Sequence, residues 1–230
     1  MTENPHPAGV QALYPFLYAD ARADLDSVLT QVRESTVAKA AEIVELRKVV
    51  LAREAPRLAA CAAAMAARFA AGGRLYTFGN GGSSTDAAEV ATTYLHPSSG
   101  RTLPALSLTN DVAVMTALSN DIGFDVVFAR QLAALGRSRD IAFGLSTSGG
   151  STNVVRAFEE ANRRGMLTVG LSGYAGGKMA ELDSIDYLFV IPSPSVHRIQ
   201  EAQTTVYHVL WELTQQALGA TDERAATAAV

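Results

Sequence analysis

The chain has 230 residues, a formal net charge of −4, 48% hydrophobic and 18% charged residues, a length that suits one sizeable domain with a well-buried core. The acidic balance removes the basic footprint that direct DNA or RNA binding needs, and no apolar run approaches the roughly 20 residues of a membrane span. The start, with Glu3, Pro5 and Pro7, lacks the charged and apolar regions of a secretory leader. The single cysteine, Cys61, allows neither an internal disulfide nor a Cys-rich metal site, so a soluble protein of the reducing cytoplasm is expected.

Residues 1–20 carry Pro5, Pro7 and Pro15 without periodicity and are expected to fray. Leu25, Val28, Leu29 and Val32, then Val44, Leu46, Val49, Val50 and Leu51, recur at helical spacing. Pro56 suits a first helical position, so two helices are predicted, about 22–52 and 55–71, ended by Gly72-Gly73. Residues 21–72 thus form a helical extension that must pack on the body of the protein or on a second copy.

From residue 73 to 219 short apolar runs alternate with helical patterns. The runs are 75–78, 105–108, 141–145, 167–171 and 187–191, with helices near 84–95, 125–136, 152–164 and 196–218. This alternation predicts an α/β fold, a doubly wound parallel five-stranded sheet with its ligand beyond the C-terminal strand ends. Residues 220–230 read as a polar, alanine-rich tail.

Two strands run straight into hydroxyl-rich, glycine-rich loops that open helices. The first gives Gly79-Asn80-Gly81-Gly82-Ser83-Ser84-Thr85-Asp86, the second Ser146-Thr147-Ser148-Gly149-Gly150-Ser151-Thr152-Asn153. Glycines let the backbone approach a ligand, and free N–H groups at a helix start favour an anion. Hydroxyls without Lys or Arg suit a phosphate monoester held by neutral donors and the helix dipole. Neither loop ends in Gly-Lys-Ser/Thr or reads G-x-G-x-x-G with a following acid at the usual distance, so no nucleotide cofactor is expected.

These loops, with Asp86-Ala87, Ser119-Asn120-Asp121, Gly176-Gly177-Lys178-Met179 and Arg198-Ile199-Gln200-Glu201, occur in an order and spacing that resembles the sugar isomerase (SIS) domain. Within it they resemble the phosphoheptose isomerase group, over about residues 40–218. The resemblance implies conversion of sedoheptulose 7-phosphate to the aldose by a homotetramer, or at least a homodimer, built on N-terminal helices. It implies that Asn80, Gly81, Gly82, Ser83, Asn120 and Asp121 meet the sugar, that Ser146, Thr147, Ser148 and Ser151 hold the phosphate, and that Gln200 and His208 serve substrate, zinc and proton transfer. It also leaves room for a protein partner, because a replication-initiator-associating protein is a relative.

The pattern breaks on the helix after the first loop. Where the isomerases carry a His and, four residues later, a Glu, this chain has Glu89 and Thr93. A carboxylate at 89 remains a good zinc ligand, but threonine cannot act as the base that isomerisation through an enediol requires. The metal set is then Glu89, Gln200 and His208, with Glu89 and His208 as catalytic candidates and His197 as an alternative acid–base group. A non-catalytic phosphosugar sensor or protein-interaction module is the alternative reading.

Overall fold

The structure, a computed structural model, describes residues 25–228; the expectation for residues 1–20 lies outside them. The chain divides into two compact units, residues 1–42 and 43–230. In the first, the described residues are helical and leave Val28, Leu29, Val32 and Val37 exposed.

Helix α1, Leu25–Ala70, is one unbroken element with Pro56 inside it, not the expected pair. Proline deletes one hydrogen bond and crowds the preceding turn, at a cost of about 3 kcal/mol. Against that, Val50, Leu58, Cys61, Ala62, Met65 and Phe69 are all buried on both sides of Pro56, and each fully buried large apolar side chain contributes roughly 1.5–3 kcal/mol. Tertiary packing overrides the local signal. Burial also pushes the Cys61 thiol pKa far up, consistent with an inert core residue.

The sheet comprises β1 (Leu75–Gly79), β2 (Ala105–Ser107), β3 (Ile141–Ser146), β4 (Leu167–Gly173) and β5 (Tyr187–Ile191). All pairs are parallel, in the order β2-β1-β3-β4-β5, as the sequence predicts. Between the strands lie α2 (Gly82–Leu95), α3 (Val112–Asp121), α4 (Val127–Leu135) and α5 (Thr152–Arg163), and α6 (Val196–Ala228) closes the chain. Every residue of β1, β3 and β4 is buried, because helices cover both faces. Leu75, Ile141, Phe143, Leu145, Val169 and Leu171 face a core shared with residues of α1, α2 and α6. Tyr76, Phe78 and Ala142 face the opposite core with Val127, Phe128, Val154 and Phe158 of α4 and α5.

Two further elements depart from expectation. Helix α3 lies where the sequence predicts none; it is short and fully buries no residue, although Val112, Met115 and Leu118 recur at helical spacing and the last two pack partly buried on the core. Helix α6 continues past residue 218 to Ala228, in a stretch with four alanines, Ala220, Ala225, Ala226 and Ala228, the strongest helix former.

Candidate active site

The chain leaves β1 in one direction to form β2 and then returns across β1 to form β3, so β1 and β3 flank the topological switch point. Gly79 pairs in register with Leu145, and the two loops therefore emerge side by side, where such sheets bind ligands.

Helix α2 starts at Gly81, whose φ of +55° requires glycine and which provides no side-chain cap. Ser83, buried, donates its amide to the Asn80 carbonyl at 3.0 Å. Helix α5 starts at Ser151, which also makes no capping bond; its hydroxyl lies 3.2 Å from that of Ser146. Capping is the ordinary fate of such termini, and Asp111 does cap α3 by accepting from the Val114 amide. The two loops of the switch point thus keep polarised helix starts for something else, and an anion suits them.

The phosphate-type loop is rigidly propped. Gly149, at φ +62°, packs so closely on the following loop that a Cβ there would overlap the Gly176 carbonyl, while a Cβ on Gly177 would overlap that of Ser148. The Met179 amide donates to the Gly149 carbonyl at 2.9 Å, and the Gly150 amide to the Ser148 hydroxyl at 3.2 Å. Thr147 is half-buried and Ser148 exposed, so hydroxyls and main chain are open to a ligand. The motif around Gly176 therefore has a structural role in shaping this loop.

Helix α2 carries the site from the first loop toward α6. Gln200 lies over Gly82, where a Cβ would come within 2.6 Å of its Nε2, and that nitrogen donates to Asp86 Oδ2 at 3.1 Å. One turn on, Glu89 Oε1 is 3.7 Å from His208 Nε2, and Tyr207 Oη donates to Glu89 Oε2 at 2.8 Å. His208 Nδ1 is 2.9 Å from the Thr204 carbonyl; a protonated Nδ1 there leaves Nε2 as the free nitrogen. Burial raises the Asp86 pKa, opposed by the Gln200 hydrogen bond and reinforced by the Glu89 charge.

The structure brings Glu89 and His208 together, and sets Gln200 one turn away on Asp86. Thr93 points its hydroxyl at the Glu89 carbonyl, 2.9 Å. His197 is exposed. Asn120 and Asp121 are exposed at the end of α3, where the Asn120 amide donates to Asp121 at 2.8 Å. Among the described residues no group of three His, Cys, Asp or Glu is placed to hold a metal. Sequence reasoning gave no role to Tyr207, or to Asp86 although it stands within the first motif.

The sequence profile of the SIS domain matches residues 38–173. Phosphoheptose isomerase of Roseiflexus sp. (strain RS-1) is 39% identical over 177 residues, 76% of this chain and 89% of that one. The enzyme of that name from Desulfovibrio desulfuricans is 43% identical over 179 residues, 77% of this chain and 84% of its own length. In three dimensions the structure of phosphoheptose isomerase from Neisseria gonorrhoeae superposes with a TM-score of 0.73 at 34% identity, covering 80% of this chain and 99% of the other. The chain therefore belongs to the SIS domain family, in its phosphoheptose isomerase group.

Proposed function

We propose that the protein is an aldose–ketose isomerase acting on sedoheptulose 7-phosphate or a closely related sugar phosphate. The observation that carries this reading is the pairing of two uncapped, hydroxyl-lined helix starts at one switch point with an ionisable Glu89–His208 pair on α2 and α6. Ser146, Thr147, Ser148, Ser151 and the N-terminus of α5 hold the phosphate, while Asn80, Gly81, Gly82 and Ser83 face the sugar, and the exposed Asn120 and Asp121 are free to meet it. Glu89, half-exposed, removes the proton from the carbon beside the carbonyl to give the enediol and returns it to the neighbouring carbon. His208 Nε2 exchanges the proton on the substrate oxygen.

The residues also fit zinc. A separation of 3.7 Å between Glu89 Oε1 and His208 Nε2 is slightly wider than the about 3.3–3.6 Å of two tetrahedral ligands on one ion, so a small side-chain shift would let both bind it. Nδ1 held on a backbone carbonyl is the usual outer-shell arrangement, and Gln200, its amide nitrogen on Asp86, retains its carboxamide oxygen as a donor. With zinc bound there, His208 Nε2 would serve as ligand in place of its proton-exchange role, and the metal would polarise the substrate carbonyl.

The exposed Val28, Leu29, Val32 and Val37 ridge on α1 supports assembly of copies through this helix as a homotetramer or homodimer. No described helix is long and apolar enough to cross a membrane, and an unpaired buried cysteine suits the cytoplasm.

Thr93 favours a second reading, a phosphosugar sensor or interaction module without turnover. Metal-analysed full-length protein incubated with sedoheptulose 7-phosphate, with the aldose followed by NMR, separates the two. Turnover that disappears in His208→Ala is expected; tight binding without turnover would replace the isomerase by the sensor.

A further inference from the structure

We propose that Tyr207 is a positioning residue of this site, its hydroxyl fixing the Glu89 carboxylate in the orientation that faces His208. The inference rests on the isomerase reading above and extends it to a residue whose ring lies wholly in the core. Tyr207 is 1% exposed and belongs to the buried cluster under the sheet, so it does not reach substrate itself. Its Oη lies 2.8 Å from Glu89 Oε2 and 3.3 Å from the Thr204 hydroxyl.

The phenol has one proton to give. The carboxylate, charged and nearer at 2.8 Å than the Thr204 hydroxyl at 3.3 Å, is the better acceptor. Thr204 already donates to the Gln200 carbonyl at 3.0 Å and cannot serve as the donor in the phenol's place. Glu89 is a half-exposed side chain, and holding it by its Oε2 leaves Oε1 directed at the imidazole. The Tyr207 and His208 rings lie 4.9 Å apart, which places both partners of Glu89 on one rigid stretch of α6.

The test is a double-mutant cycle of wild type, Tyr207→Phe, Glu89→Ala and the double variant in the full-length protein. It is read by kcat and KM and, separately, by Zn2+ affinity in competition with a chromophoric chelator. Tyr207→Phe keeps the ring and removes only the donor. It is expected to lower kcat by about 10- to 100-fold with little change in KM, to weaken Zn2+ binding by about 10-fold, and to have no effect when added to Glu89→Ala. Wild-type kcat and Zn2+ affinity in Tyr207→Phe, or a loss of equal size when it is combined with Glu89→Ala, would overturn the proposal while leaving the isomerase intact. A wild type that neither turns over nor binds Zn2+ would overturn both.

Discussion

Asn80 and Asn153 exchange a reciprocal pair of carboxamide hydrogen bonds, 2.8 Å from Asn80 Nδ2 to Asn153 Oδ1 and 2.9 Å in the other direction. The first residue after β1 is thereby tied to the first turn of α5, and the two loops become one surface. Asn153 is 3% exposed, so Asn153→Ala removes both bonds and leaves Asn80 without that partner. Urea denaturation is expected to show a loss of about 1–3 kcal/mol, with weaker sugar-phosphate binding because the loops no longer hold a common geometry.

Ser148→Ala with Ser151→Ala tests the phosphate assignment. Each lost charge-assisted hydrogen bond should cost about 1–3 kcal/mol of binding in calorimetry with a sugar phosphate. An unchanged affinity would take this loop out of the site.

Gly149 and Gly150 differ sharply although they are neighbours. At Gly149 an added methyl group would overlap the Gly176 carbonyl at a left-handed φ, whereas at Gly150 the nearest atom is Ser148 Oγ at 3.7 Å. Gly149→Ala is expected to destabilise the fold by more than about 1 kcal/mol and to weaken phosphate binding. Gly150→Ala should leave thermal stability within about 0.5 kcal/mol.

Thr93 stands one helical turn after Glu89 on α2 and offers the site only a hydroxyl already bonded to a backbone carbonyl. If Glu89 is the working carboxylate, wild type turns over and Thr93→Glu changes kcat by less than about 10-fold. An inert wild type that gains turnover from this substitution would favour the sensor reading instead.

Much of the fold was legible because strands and helices carry opposite periodicities. The run Tyr187–Ile191 is a strand as predicted, and the parallel order follows from helices between strands. Pro56 misled, because a local breaker was outweighed by Leu58, Cys61 and Met65 packing in the core. Helix α3 was overlooked because it is short and only Met115 and Leu118, one turn apart, pack partly buried on the core. The place of the Ser146–Asn153 loop, between β3 and the start of α5, was readable from its own residues. The link from Tyr207 to Glu89 was not, because the two are 118 positions apart and only the folded packing of α2 on α6 brings a core phenol to a surface carboxylate.

The central claim is that this site moves a proton between neighbouring carbons of a sugar phosphate. The most direct measurement is NMR of sedoheptulose 7-phosphate with the metal-analysed protein in D2O, beside Glu89→Ala and His208→Ala. The account predicts aldose carrying deuterium at C2 and solvent exchange at C1 of the ketose, both reduced by at least about 100-fold in either variant. Substrate that binds wild type yet shows neither product nor exchange would contradict it.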